Sequence, residues 1–226
     1  DTDIGLRNLD VVMGLENRII YDLVDAIEGR CRIEQAMIKD KRFDELYLIP
    51  AAQTKDKHAV TPEQVKNVVV KLKDRFDFII LDCPAGIEQG FRNAVAGADR
   101  AIVVTTLEKA AVRDADRVIG LLEKESIDPP KLVINRIRPH MVKTGDMLDV
   151  DEVCAVLAID LLGLVPDDDY VIKAANNGEP TVMNADSRAA IAYRNIARRI
   201  LGDSVPLMPM NQKTGVLQRL RKFFAG

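Results

Sequence analysis

The 226-residue sequence predicts an α/β protein built on a doubly wound, mostly parallel sheet. Short apolar runs rich in β-formers alternate with amphipathic helical stretches, the order that βαβ units impose. The runs are continuously apolar rather than alternating, which fits strands buried on both faces. Most close on a Pro, an Asp or an Asn, marking the ends of short strands.

In chain order, Leu46–Pro50 reads as the first buried strand, closed by its proline. Phe78–Asp82 is the next, followed by Ala101–Thr106, Lys131–Asn135 and Leu161–Val165. The helices lie between them. Thr61-Pro62-Glu63-Gln64 is a start signal, with Thr as cap, Pro at the first helical position and Gln completing a capping box, and the helix should run to about Asp74. Ala110–Glu125 carries Val112, Ala115, Val118, Ile119 and Leu122 at helical spacing, and Ser187–Leu201 carries Ala190, Ile191, Ile196, Ala197 and Ile200. No internal repeat interrupts this order.

The composition suits a globular body, with 47% hydrophobic and 30% charged residues. There is no Trp and only 4% aromatics, so the core must be aliphatic. No apolar run approaches the roughly 20 residues of a transmembrane helix. Cys31, Cys83 and Cys154 are scattered and form no Cys-x-x-Cys pair, which argues against a disulfide framework and a structural zinc site. His58 and His140 are the only histidines, and no metalloprotease or serine-hydrolase signature is present.

Charge is unevenly spread. Residues 213–226 hold Lys213, Arg219, Arg221 and Lys222 and no acid, so a total of −3 less this +4 leaves −7 on the remainder. An acidic body with a basic tail suits a tail that meets an anionic surface better than a body that binds nucleic acid.

Two segments carry chemistry. Asp82 closes its apolar run and leads into Cys83-Pro84-Ala85-Gly86. Open parallel sheets bind ligands at the carboxyl ends of their strands. In nucleotide hydrolases an Asp there holds Mg²⁺, directly or through its water, and Gly86 would let a backbone N–H approach a terminal phosphate. By itself the pattern fits a capping Asp equally well. Asp1 and Asp3 form an acidic pair that could order a water or a metal, or be no more than a solvated acidic segment.

The motifs together settle more. Asp1-x-Asp3-Ile4-Gly5-Leu6-Arg7-Asn8-Leu9-Asp10, Met13-Gly14, Tyr21-Asp22, Ala36-x-Ile38-Lys39-Asp40-Lys41-Arg42, Asp82-Cys83-Pro84-Ala85-Gly86-Ile87-Glu88, Val112-Arg113-Asp114-Ala115-Asp116-Arg117, Gly145-Asp146-Met147-Leu148 and Asn177-Gly178-Glu179-Pro180 occur in this order along essentially the whole chain. The sequence resembles the MinD-type ATPases of the ParA/MinD family, a group of P-loop NTPases with a deviant Walker A loop. The resemblance implies a septum-placing ATPase that uses ATP and Mg²⁺. Asp3 corresponds to the switch I carboxylate that positions the attacking water, and Asp1 to its companion near Mg²⁺. Asp82 corresponds to the Walker B carboxylate that holds Mg²⁺, through water in the family pattern. Asn135, Pro166 and Asp168 correspond to adenine-side contacts. The face bearing Arg113, Asp114, Asp116 and Arg117 corresponds to a partner surface near a dimer interface. The implied partners are a second copy in the presence of ATP, a MinC-like division inhibitor and a MinE-like activator, with no specific nucleic acid.

One departure stands out. No Gly-x-x-x-x-Gly-Lys-[Ser/Thr] occurs in the 226 residues. The family pattern opens with a strand, that phosphate-cradling loop, a helix and a second strand, and the chain, which begins at Asp1, is expected to be an N-terminally truncated relative without them. The strand so removed belongs inside the sheet, and its loss would expose two strand edges. The expected organisation is an ATPase domain over 1–205, a tether over 206–213 and a terminal amphipathic helix over 214–226.

In that last segment Val216, Leu217, Leu220, Phe223 and Phe224 fall within an arc of roughly 120° at helical spacing, with Arg219, Arg221 and Lys222 outside it. An apolar and aromatic face beside a basic one describes a helix lying in a membrane interface. The same stripe would serve a helix docked on its own domain. The absence of acids and the preceding tether favour the membrane. The expected location is the cytoplasm and the inner face of the cell membrane, or the corresponding compartments of a plastid.

Other classes fit less well. A partition ATPase that coats DNA needs a basic body. A non-hydrolysing interaction protein explains the absent loop but leaves the sheet gapped. An iron–sulfur reductase of related fold needs cysteines placed to share a cluster, and Cys31, Cys83 and Cys154 lie on unrelated segments.

Overall fold

The computed structural model describes residues 1–125 and 127–210. In chain order these form α1 (Leu9–Val12), α2 (Leu23–Ile27), α3 (Ile33–Ala36), β1 (Ile38–Lys39), β2 (Tyr47–Leu48), α4 (Pro62–Leu72), α5 (Gln89–Gly97), β3 (Ile102–Thr105), α6 (Lys109–Leu122), β4 (Lys131–Ile137), α7 (Pro139–Thr144), α8 (Val150–Leu157), β5 (Asp160–Pro166), α9 (Asp169–Asn176) and α10 (Arg188–Ile200). The expected starts hold. The Thr61 side chain accepts from the Gln64 N–H, and the Gln64 side chain accepts from the Thr61 N–H. Ser187 caps α10 by accepting from the Ala190 N–H at 3.1 Å.

Strands β3, β4 and β5 form a parallel sheet in that order. On one face Val103, Leu132 and Ile134 meet Val112, Ala115, Ile119 and Leu122 of α6 and Val153 and Leu157 of α8. On the other, Val133, Leu162 and Val165 meet Ala189, Ala192 and Ile196 of α10. Alternate residues of β4 thus enter different cores, which is why its sequence is apolar without alternation. Gly163 makes the second layer possible, because a Cβ there would stand 2.3 Å from Ile196 Cγ1.

Three expectations change. Leu46–Pro50 was expected in the parallel sheet, yet Tyr47–Leu48 pairs antiparallel with Ile38–Lys39. Strand β3 is buried on one face only, with Ile102 and Val104 exposed. Phe78–Asp82 lies in no ladder. It keeps a strand's alternation, since Ile79 and Leu81 pack against Val65 and Val69 of α4 while Ile80 is 87% exposed. Phe78, Ile80, Ile102 and Val104 all stay exposed on the outward side. A run's apolarity reports that it prefers burial and says nothing about which strand will lie beside it.

The first half of the chain forms its own layer. Ile49–Ala52 runs beside the first residues, with the Asp1 nitrogen donating to Ile49 O at 3.0 Å and the Gly5 N–H to Ala52 O at 2.8 Å. Two features join the halves. Helix α5 places Phe91 in the main core and packs Gly97 against Val69 and Leu81. Farther out, the Arg42 guanidinium pairs with buried Asp40 (Nη2 to Oδ2, 2.6 Å) and donates to Met13 O and Gly178 O. Beside it Gly14 and Gly178 touch backbone to backbone at positive φ, with no room for a Cβ on either.

The expected tether is part of the body over 206–210. Arg199 donates to Val205 O and Pro206 O, Arg188 donates to Pro209 O, and Met208 packs beside α10. The terminal helix expected over 214–226 lies outside the described residues.

The Arg42 junction gives a direct expectation. The guanidinium, by hydrogen bonding to Asp40, holds its carboxyl below the usual range. Arg42→Ala leaves a buried carboxylate without its partner and should cost about 3 kcal/mol at neutral pH in denaturant titration. Because the folded pKa is depressed, the pair's contribution is complete above the unfolded pKa of about 3.9 and is lost as pH falls through the folded value. The variant should therefore lose less stability than the native chain over that acid range.

Candidate functional site

The acidic residues singled out in the sequence meet where Asp1–Asp3 lies against the carboxyl end of the Phe78–Asp82 run. The Asp82 carbonyl accepts the Thr2 N–H at 3.1 Å and the Thr2 hydroxyl at 2.6 Å. These two hydrogen bonds tie the Asp1–Asp3 segment to the end of the Phe78–Asp82 run. Thr2 is buried and escaped notice in the sequence, because one Thr between two acids gives no signal of a partner eighty residues away.

Asp1 turns its carboxylate inward. Oδ1 accepts the Asp3 N–H at 2.9 Å, while Oδ2 is buried without a hydrogen-bond partner. Asp3 lines a cavity of about 380 Å³ with Lys55, Lys57, Pro84, Ala85 and Glu88 among its walls. The Lys57 ammonium bonds Glu88, the residue just before α5, so the loop after Ile49–Ala52 is strapped across this cavity. Two glycines shape the loop from Pro84 into α5, of which Gly90 lines the cavity. Gly86 adopts φ +94°, and Gly90 lets the first turn of α5 sit on Pro84, whose Cγ would lie 2.3 Å from a Cβ. Lys57 and Gly90 also carried no pattern in the sequence, and Glu88 stood there only as the last residue of a family motif.

Among the described residues, no three His, Cys, Asp or Glu side chains close around one point as a metal cage. That donor set still suits Mg²⁺, which is usually held by one or two carboxylates with substrate phosphates and waters completing its shell. The partnerless Asp1 Oδ2 is an acceptor of the required kind.

The other expected contacts form a second group at the ends of β4 and β5. A register irregularity between Ile134 and Ile137 re-aims Asn135, whose Oδ1 accepts the Arg136 N–H at 2.9 Å, and Arg136 takes φ +53°. Pro166 ends β5 and Asp168 caps α9. The Asp168 carboxylate accepts from Tyr170 N, Ser187 Oγ and Ala189 N, so it also fixes the start of α10. Asp168 lines a second cavity, of about 530 Å³, with Asp167, Asp169, Tyr170, Asn184 and Arg188. Asp3 and Asp168 therefore face separate cavities. Arg113, Asp114, Asp116 and Arg117 are all exposed on α6, opposite its buried Val112 and Ala115.

A parallel β3-β4-β5 sheet with helices packed on it, Asp168 beyond the carboxyl end of β5, and Asp82 with its glycine turn at the end of the neighbouring extended run place the site where α/β nucleotide-binding proteins hold their ligands. Comparison with known proteins narrows this. A family model described as an AAA domain matches residues 5–127. The septum site-determining protein MinD of Bacillus subtilis is 67% identical over 99% of this chain and 85% of its own length. In the solved MinC:MinD cell division protein complex of Aquifex aeolicus, the matching chain is 42% identical with a TM-score of 0.84, over 92% of this chain and 84% of that one. The cell division ATPase MinD of Pyrococcus furiosus is 27% identical with a TM-score of 0.79, over 89% and 84%. The chain belongs to the MinD family of septum site-determining ATPases.

The site makes a prediction about Cys83. Partial burial of its thiol, then the charges of Asp82 and Asp3, push its pKa up to about 11. Alkylation by iodoacetamide should thus be slow at pH 8 and rise about tenfold per pH unit towards pH 11, following the thiolate fraction. Mass spectrometry of the labelled chain measures it. Asp82→Asn should speed the reaction at a given pH.

Proposed function

We propose that the protein is a membrane-cycling ATPase that helps place the division septum. Membership of the MinD family and the gathering of Asp1, Asp3 and Asp82 beside a lysine-lined cavity support this reading. In it Asp82 and Asp1 hold Mg²⁺ with ATP, Asp82 through water. Bound there, Mg²⁺ neutralises charge developing on the phosphates. Asp3 orients the attacking water and takes up its proton, the backbone at Gly86 faces the terminal phosphate, and Asn135, Pro166 and Asp168 bound the adenine side. Since the 226 residues contain no Gly-x-x-x-x-Gly-Lys-[Ser/Thr], they neither bind ATP tightly nor hydrolyse it by themselves, and an ATPase assay of the purified chain tests this.

ATP joins two copies, and the paired terminal helices of 214–226 then hold the dimer on an anionic membrane. One short helix binds weakly, whereas two on one dimer gain roughly 10²–10⁴ in avidity. Hydrolysis releases both copies to the cytoplasm. The exposed α6 face of Arg113, Asp114, Asp116 and Arg117 serves a MinC-like inhibitor and a MinE-like activator, consistent with the MinC:MinD complex of the Aquifex aeolicus relative.

Two variants of the complete protein test the cycle. Asp3→Ala should keep ATP binding and lose hydrolysis by about 100-fold or more in a phosphate-release assay, and unchanged turnover would remove Asp3 from the mechanism. Phe223→Glu with Phe224→Glu should leave hydrolysis intact and abolish sedimentation with phosphatidylglycerol vesicles. Retained sedimentation would refute the anchor.

A further inference from the structure

We infer that residues 203–210 are a strap that fixes where the membrane helix leaves the body, at the same end of the sheet as the candidate nucleotide site. The inference rests on reading 214–226 as a membrane anchor. Arg199, near the end of α10, makes three bonds to carbonyls: Nη1 to Leu162 O on β5 at 2.9 Å, Nε to Val205 O at 2.8 Å and Nη2 to Pro206 O at 2.6 Å. One planar guanidinium thus joins the returning chain to the edge of the sheet. Leu162 lies near the start of β5, so the strap begins at the end of the sheet opposite the site.

From there the chain runs back along α10. Met208 packs on the core beneath α10, and Met210 packs on the core beneath α6 and α8, so the strap crosses the open edge of β5. Arg188, the first residue of α10, donates to Pro209 O at 3.1 Å. It follows Ser187, which donates to Asp168, and both line the larger cavity. The chain therefore reaches Met210 about one guanidinium's length from the wall of the site.

The geometry has a consequence for binding. With the strap in place only residues 211–213 separate the body from the expected helix. If two copies meet through the ends of their sheets that carry the site, the two exits lie near that interface and the paired helices reach one membrane patch. Releasing the strap lengthens each link to residues 203–213. Effective concentration falls roughly as the −3/2 power of link length, which predicts about a sevenfold loss of dimer affinity for membrane.

The test compares the complete protein with Arg199→Ala and with a Gly-Ser linker as long as the strap inserted after Met210. Amide hydrogen exchange of 203–210 is followed together with ATP-dependent binding to vesicles of equal phosphatidylglycerol and phosphatidylcholine. Expected are slow exchange in the native strap, fast exchange there but not in the first turns of α10 in Arg199→Ala, and about sevenfold weaker vesicle binding in both variants. Exchange as fast as an unstructured peptide in the native strap overturns the inference. So does undiminished vesicle binding of both variants. Should Arg199→Ala unfold, the linker variant decides by itself. A native protein that ignores vesicles refutes the anchor instead, and hydrogen exchange then still decides whether the strap exists.

Discussion

Helix α5 is the member on which the rest of the molecule hangs. The two halves of the chain share no strand ladder, so their union depends on side chains. Phe91 enters the core under β3, while Asn93, fully buried, donates its amide to Val60 O and accepts from Gln89. Gly97 allows α4 to close upon the far end. The loop that leads into α5 is also the loop after Asp82. The helix that holds the halves together therefore sets the position of the site's floor, and a shift in its packing is a shift in the Asp3 cavity.

Much of this was legible in the sequence. Strands β4 and β5 lie where continuous apolar runs placed them, and the cap of α4 uses the side chains expected of it. What could not be read was pairing across distance. The apolarity of Leu46–Pro50 told of burial but not of an antiparallel neighbour at Ile38–Lys39. Thr2 gains meaning only from Asp82, Arg42 only from Gly178, and Arg199 only from Leu162 and Pro206. These are bonds from one side chain to a remote backbone carbonyl, and carbonyls are the same in every residue. No local pattern can announce them.

The carboxylates show the same division. Their residue types and spacing were visible, and the resemblance gave each a role. Their exact setting was not visible: Asp1 buries one oxygen without a partner, and Asp168 is committed to capping two helices. A family motif can thus serve the architecture and the chemistry at once. Met13-Gly14 and Asn177-Gly178 drew attention as marks of kinship, and they prove to be the two sides of one backbone contact.

The bare flank of the sheet has a practical side. Ile80 and Val104 face water on segments whose outer backbone edges carry no neighbouring strand among the described residues. Such an edge is a template on which any extended, greasy peptide can crystallise, including another molecule of the same kind. In concentrated solution the exposed side chains of Phe78, Ile80, Ile102 and Val104 favour self-association through this flank.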